Sequence, residues 1–351
     1  MILIVDIRNL MYRAFWAVPQ TLTPQGADIT GLHGAIRMTL AMLRQYSSVK
    51  HLVVCADPSG ETRPNWRYAV FPAYKAGRSV ARETSDNRAA HLRRQVQAMT
   101  PYVRAFFEHV NCLWLEDDSE EGDDLIAWSA VHLPGNMTRL VVTADWDMLQ
   151  LVERGNVEIA QPRKHGHYDV FTRANFASSI GPLLKKHIKH ARPTDAPRFT
   201  ANPAPLQPDL YVAFRCMTGD RSDGIPGLHG VAATRAYEIV TAGAALTQSR
   251  FAPDIFAAWW RRENSAGLPT PAASRIVRVN PDAHAILARN EKLMRLDVQR
   301  IPSMVRSFRG VWAPDVLDRW FSALNLRSFT STPKGEFHDA FVHSFGRLAH
   351  V

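Results

Sequence analysis

The chain has 351 residues, enough to bury a full core and to hold one large domain beside a smaller one. Its formal net charge of +9 points to a polyanionic partner, because clustered Lys and Arg gain affinity by releasing counterions from phosphates, although a soluble basic surface gives the same sum. Three scattered cysteines, Cys55, Cys112 and Cys216, exclude a disulfide framework and a CxxC metal site and fit buried thiols in a reducing cytoplasm.

The amino terminus begins with the apolar run MILIV before Asp6, too short for a signal-peptide core or a membrane span, so a cytoplasmic protein is expected. Residues 1 to about 175 then alternate short Val/Ile/Leu-rich runs with longer helical patterns, the signature of βαβ units and a mostly parallel sheet. Strands are predicted at Ile2–Val5, His51–Ala56, Cys112–Leu115, Leu140–Thr143 and Val157–Ala160. Several of these runs release a carboxylate at their carboxyl end: Asp6, Asp57, and Asp145 with Asp147 in RLVVTADWD. In an open α/β sheet that edge is where ligands bind, whereas a single Asp there also serves as a cap or turn.

Between the second and third strands, Lys75 to Val110 opens with FPAYKAGR and carries Arg82, Arg88, Arg93, Arg94 and Arg104 on a largely helical pattern. Such a stretch is either a solvated helix face or a basic approach that lets a phosphate backbone near carboxylates that otherwise repel it. In LEDDSEEGDD, Glu116, Asp117 and Asp118 read as an acidic surface loop, while Glu121, Asp123 and Asp124 lie at a helix start capped by Ser119. Residues 182–208 hold six prolines and five Lys or Arg without periodicity and read as a flexible basic insertion. His187 and His190 there, like His165 and His167 before it, have metal-ligand spacing, but without Cys or acidic companions they read as parts of a solvated loop. From Pro208 the pattern turns helical. Asp220 and Asp223 share a turn or a first helical turn, and Gly227 and Gly230 precede a helix start whose backbone N–H groups would form an anion site. The segment after about residue 330 reads as a short polar tail.

The chemistry is carried by nine acidic residues in five clusters: Asp6; Asp57; Glu121, Asp123 and Asp124; Asp145 and Asp147; Asp220 and Asp223. Bringing them together without cations would be strongly repulsive, so the pattern implies divalent metal. Oxygen-only ligands favour Mg²⁺ or Mn²⁺ over Zn²⁺. Two such ions roughly 3.5 to 4 Å apart can activate a water and stabilise the leaving oxygen of an in-line phosphodiester displacement. No Walker phosphate loop, G-x-S-x-G elbow or GxGxxG turn offers competing chemistry.

The segments IVDIRNLMYRAF, VVCADPSGETR, FPAYKAGR, EEGDDLIAW, VVTADWDMLQLV and MTGDRSDGIPGLHGVAATRA, with a weaker echo in VLDRWFSALNLRSF, resemble in order the 5′ nucleases. That family includes bacteriophage 5′ exonucleases, flap endonucleases and the nuclease domain of bacterial DNA polymerase I. The resemblance implies an α/β fold with a PIN-like, mostly parallel sheet over 1–181, a helical arch at about 75–110, the insertion at 182–208, a helix-three-turn-helix domain over 209–330 and a tail at 331–351. It implies that Asp57, Glu121, Asp123 and Asp124, with Asp6 close by, surround a first metal, and that Asp145, Asp147, Asp220 and Asp223 form a second cluster. Lys75 and Arg78 would steer the scissile phosphate from the foot of the arch. Tyr12, as a base-stacking aromatic, and Tyr74, Gly227, Gly230 and Arg235 would contact DNA. Ala144 replaces the glycine usual before the Asp pair. Ala232 and Thr234 stand where a Gly and a Lys are usual, which weakens the implied K⁺ site in that turn. The implied activity is a Mg²⁺-dependent 5′ to 3′ exonuclease and flap endonuclease, acting as a monomer on DNA with 5′ ends, flaps or nicks, or on RNA–DNA hybrids, away from membranes. The alternatives are a PIN-type ribonuclease and a catalytically silent DNA-structure-binding protein.

Overall fold

The computed structural model describes residues 1–58, 66–76, 88–163, 167–180, 206–265, 267, 269–300, 302–303 and 306–351, with the backbone alone at 88–90. Its centre is a seven-stranded sheet in the order β6-β5-β4-β1-β2-β3-β9. The strands are β1 (Ile2–Asp6), β2 (His51–Ala56), β3 (Leu113–Glu116), β4 (Arg139–Val142), β5 (Val157–Pro162), β6 (Tyr168–Phe171) and β9 (Phe308–Arg309). The five inner strands are parallel, and β6 and β9 run antiparallel at the edges. Parallel strands covered by helices on both faces need apolar residues at every position, which is why they stand out in the sequence. Along β1, Ile2 and Ile4 join the core on one face while Leu3 and Val5 join that on the other. The five predicted strands are all present, each within two residues of its expected bounds. The sequence reading missed β6, which is short and half exposed, and β9, which has two residues and no periodicity to detect.

One face of the sheet packs against α1 (Ile7–Ala17), α2 (Thr30–Gln45) and α4 (Arg88–Glu108). Within α4, Val96, Met99, Val103, Phe106 and Phe107 are buried. The second half of the expected arch is therefore a core helix, because its apolar residues recur at helical spacing toward the sheet. Arg78, Arg82 and residues 77–87 as a whole lie outside the described residues. On the opposite face sit α5 (Gly122–His132) and a helical layer of α6 (Tyr211–Thr218), α7 (Ala233–Ala244), α8 (Ala252–Glu263), α9 (Pro271–Val279) and α10 (Ala283–Met294). The short helix α3 (Trp66–Val70) packs on α10. Most of the basic insertion, residues 181–205, lies outside the described residues together with His187 and His190. Its flanks Ile180 and Leu206 are both buried in the core that carries the helical layer.

The end of the chain departs from expectation. Residues 314–330 were assigned to the helix-three-turn-helix domain and 331–351 to an uninformative tail. Instead β9 adds to the edge of β3, and α11 (Pro314–Ala323) and α12 (His338–Gly346) return to the first core, where Phe321, Phe341 and Phe345 surround Phe106 and Phe329 packs on Phe321 and Phe341. No described helix is long and apolar enough to cross a membrane.

Candidate active site

The connections reverse direction at β1, which lies between β4 and β2, and this opens a crevice at the carboxyl ends of the strands. Asp6 ends β1 and caps α1, its Oδ1 accepting from the Asn9 amide at 2.9 Å and its Oδ2 from the Thr143 hydroxyl at 3.1 Å. Asp57 follows β2. Its Oδ1 accepts the Gly122 amide at 2.8 Å. Glu121 stands at the amino end of α5 in a reciprocal capping box with Asp124; no side-chain role falls to the expected cap, Ser119, which instead donates to Asp117. Asp145 follows β4, and the Asp147 amide donates to its Oδ1 at 2.8 Å. Asp220 ends the two-residue strand β7 (Gly219–Asp220) that follows α6, and Asp223 sits in the turn to β8 (Ile225–Pro226).

These carboxylates act on one another across the crevice. Burial pushes the Asp6 carboxyl up to about 7, with the charges of Asp57 and Asp145 adding to the effect. Burial raises Asp123 well above the ordinary carboxylate range, reinforced by Asp145, Asp6 and Glu121. Asp145 is raised by burial and by Asp223 and Asp220. Asp147 reaches about 7, because burial and three neighbouring carboxylates outweigh the Arg215 guanidinium 2.8 Å away. Asp57 goes the other way. Burial alone would raise it, but Arg8 at 2.8 Å and the Gly122 amide hold it at about 2. Asp220 is also lowered despite burial, by Arg215 at 2.7 Å and by the Ser222 hydroxyl and amide.

Cationic side chains thread this acidic crevice. Lys75 places Nζ 2.7 Å from Glu121 and 3.6 Å from Asp223. Its backbone holds a left-handed φ of 54°, uncommon for a non-glycine residue, with its amide donating to the Asp223 carbonyl. The sequence reading missed three further arginines. Arg8 pairs with Asp57, Arg215 bridges Asp147 and Asp220, and the buried Arg67 grips both oxygens of Asp124 at 2.7 Å. Arg8 two residues after Asp6 and Arg215 five before Asp220 were the available signals; nothing local marked Arg67.

Asp124 gives both its oxygens to Arg67 and also accepts the Glu121 amide. Tyr74, expected to contact DNA, is only 2% exposed, and its hydroxyl lies 3.0 Å from both Glu121 and Asp223. Its single proton is shared between two carboxylates, and burial beside them keeps the phenol protonated. The expected role is corrected accordingly: Tyr74 braces the crevice from within and offers no ring face. Tyr12 is half buried, with the Arg8 guanidinium 5.9 Å from its ring centre. Arg235 pairs with Glu238. In the turn before α7, the amides of Leu228, His229 and Val231 are taken by protein acceptors, and the helix start has no side-chain cap. Gly227 serves close packing, since a Cβ there would meet the Met217 carbonyl oxygen at 2.4 Å, and Gly230 supplies a φ of 73°.

Among the described residues no three His, Cys, Asp or Glu side chains stand close enough, as they lie, to hold an ion. Arg8, Lys75 and Arg215 occupy oxygens that a cation would otherwise share. The donor chemistry nevertheless fits a hard divalent ion. All donors are carboxylate oxygens, they raise one another's affinity for positive charge, and the Asp123 carboxylate makes no hydrogen bond among the described residues.

Comparison with known proteins agrees with this geometry. A 5′-3′ exonuclease from Streptomyces coelicolor is 23% identical over 289 residues, covering 80% of this chain and 86% of that protein. One from Mycobacterium tuberculosis is 26% identical over 301 residues, covering 82% and 86%. The thermostable DNA polymerase I of Thermus thermophilus is 26% identical over 241 residues, of which this chain covers only 24% of the polymerase. In fold, the chain is similar to T5 5′-exonuclease solved with bound zinc, at a TM-score of 0.55 and 18% identity over 84% of this chain and 89% of that one. It is also similar to human GEN1 in complex with Holliday junction DNA, at 0.53 and 12% over 93% and 68%. Because the family model described as the 5′-3′ exonuclease N-terminal resolvase-like domain matches residues 1–181, the chain belongs to the 5′-3′ exonuclease family and is a nuclease.

Proposed function

We propose that the protein is a Mg²⁺-dependent, structure-specific 5′ to 3′ exonuclease and flap endonuclease that hydrolyses DNA, and RNA paired to DNA, at 5′ ends. The observation that carries this reading is the crowding of Asp6, Asp123, Asp145 and Asp147 in one crevice at the sheet's topological switch, with their carboxyls pushed up by burial and by one another. Asp57, Glu121 and Asp123, with Asp6 behind them, would hold one ion, and Asp145, Asp147, Asp220 and Asp223 a second. The chemistry that divalent ions held by these residues would supply is polarisation of a phosphoryl oxygen and activation of a water. Asp124, tied to Arg67, instead fixes the start of α5 and so the direction in which Glu121 and Asp123 face.

Lys75 lies between Glu121 and Asp223 and can turn its ammonium to an incoming phosphate, with Arg78, outside the described residues, assigned to the same task. Arg215 offsets the negative charge of the second cluster until an ion enters. The uncapped start of α7 offers backbone amides to a duplex phosphate, with Arg235 one turn in. A K⁺ ion held by carbonyls of the preceding turn belongs to the same reading, and K⁺-dependent duplex affinity would support it.

The test is cleavage of 5′-labelled flap, nicked-duplex, single-stranded and RNA–DNA oligonucleotides with Mg²⁺ and with EDTA. Release of short products from 5′ ends and flaps with Mg²⁺ alone is expected. Cleavage that persists in EDTA, or that is confined to single-stranded RNA, would overturn the proposal.

A further inference from the structure

A cavity of about 210 Å³ opens at the carboxyl end of α1. Phe15, Trp16 and Val18 form its apolar side, and Gln20, Asp28 and Gln95 its polar side. Trp16, at 64%, is the most exposed large apolar residue of the protein's described surface. The polar side is organised. The amide nitrogens of Gln20 and Gln95 both donate to Asp28 Oδ2, at 3.0 and 3.2 Å, and the Thr30 amide donates to Oδ1 at 2.9 Å. Gln95 belongs to α4 and Gln20 to the loop between α1 and α2, so Asp28 joins three elements around the opening.

One stripe of α1 leads from the active site toward the cavity. Arg8, Tyr12 and Trp16 recur every four residues and therefore share a helix face. The stripe starts at the arginine paired with Asp57 and ends at the cavity. At a rise of about 1.5 Å per residue, Trp16 lies about 6 Å beyond Tyr12. Successive nucleotides of a stacked strand are about 3.4 Å apart, so the two rings are about two nucleotides apart along such a strand.

We propose that this cavity is a nucleobase subsite that takes one unpaired base of the substrate, stacked on Trp16, about two nucleotides further from the scissile phosphate than the base that meets Tyr12. The proposal rests on the nuclease reading and extends it to a substrate contact. The cavity has room for a flat ring system beside Trp16. Asp28 and His91 both line the cavity, and the oxygens of Asp28 and of the glutamine amides suit the exocyclic amino groups of a base. Stacking on an aromatic ring needs no particular base, so the subsite reads the presence of an unpaired base more than its identity.

The experiment uses the full chain and single-stranded and 5′-flap oligonucleotides in which one abasic nucleotide is moved stepwise from the cut site, with affinity measured by fluorescence anisotropy in EDTA. The unmodified protein should lose affinity when the abasic position reaches Tyr12 and again about two nucleotides on. Trp16→Ala should weaken binding of the intact oligonucleotide by about fivefold to a hundredfold and erase only the second abasic penalty, and Trp16→Phe should restore it. A 2-aminopurine at that position should be quenched by the unmodified protein and not by Trp16→Ala. A second penalty that survives Trp16→Ala, its absence from the unmodified protein, or full rescue by Trp16→Leu would overturn the subsite while leaving the nuclease reading intact. An unmodified protein that neither binds nor cleaves any of the oligonucleotides would sink that reading first.

Discussion

Asp145 and Asp147 show how far a single strand end determines the chemistry. The Asp147 amide fixes Asp145, and the Asp147 carboxylate competes with Asp220 for Arg215. Changing both to Ala leaves Arg215 paired with Asp220 and removes two negative charges from the path of a phosphate. Cleavage should therefore fall below detection while affinity for flap DNA holds or tightens; turnover within tenfold of the unmodified protein would rule out their role as ligands. The raised carboxyls also predict a pH dependence of stability. Asp6 and Asp147 titrate near 7 in the folded protein against an ordinary value of 3.8, so between these values the folded state holds protons that the unfolded state has lost. Their stabilisation is complete below about pH 4 and disappears as pH rises through 7. Asp57, held at about 2, and the lowered Asp220 act in the opposite sense and lose their contribution as pH falls below the ordinary value. A divalent ion that replaces those protons should thus raise the melting temperature more at pH 8 than at pH 5. Melting curves with Mg²⁺ and with EDTA across that range check this, and a metal-induced shift that does not change with pH would show that the raised carboxyls are not the ligands.

At the scale of elements, the turn between α6 and α7 carries Asp220 and Asp223 on two backbones pressed together. A Cβ on Gly227 would stand 2.4 Å from the Met217 carbonyl oxygen and 2.6 Å from the Gly219 amide nitrogen, atoms that cannot swing aside. Gly227→Ala should therefore cost about 1 to 3 kcal/mol and displace the two aspartates, with a marked loss of cleavage. Gly230→Ala meets no atom within 4 Å and pays only for its left-handed φ of 73°, about 1 kcal/mol, with cleavage little changed. Equal losses from the two substitutions, measured by denaturant unfolding and cleavage rate, would contradict this assignment. The same contrast explains what could be read from sequence. The inner strands and the aspartates that end them were legible because strands buried on both faces are continuous apolar runs that a single carboxylate interrupts. Arg67 was not, since its partner Asp124 is 57 residues away and only the tertiary fold brings them together. The return of the chain end was missed although Phe337, Phe341 and Phe345 recur every four residues, a helical signal hidden in a segment with polar residues on the other face.

For the molecule as a whole, that chain end decides where the folding unit stops. Phe341, Phe345 and Leu348 are almost fully buried, and they close the same core as Phe106, Phe107 and Trp114 from α4 and β3. The last residues are also tied to the rest of the sheet layer: the Ala349 amide donates to the Lys50 carbonyl at 2.8 Å, and the Asn111 side chain donates to the Leu348 carbonyl at 3.0 Å. Removing one buried Phe or Leu side chain costs about 2 to 5 kcal/mol, and a folded domain has about 5 to 15 kcal/mol in all. Ending the chain after Thr330, at the boundary that sequence alone suggested, removes three such side chains and uncovers the aromatic ring cluster they pack on. The shortened protein should accumulate in insoluble form or melt far below the full chain, and any soluble fraction should have lost cleavage, although every carboxylate of the active site is still encoded. Thermal unfolding, sedimentation of the expressed protein and cleavage of the flap oligonucleotide measure this together. A chain ending at Thr330 that melts within a few degrees of the full chain and cleaves at the same rate would show that the last helix lies on the core without supporting it.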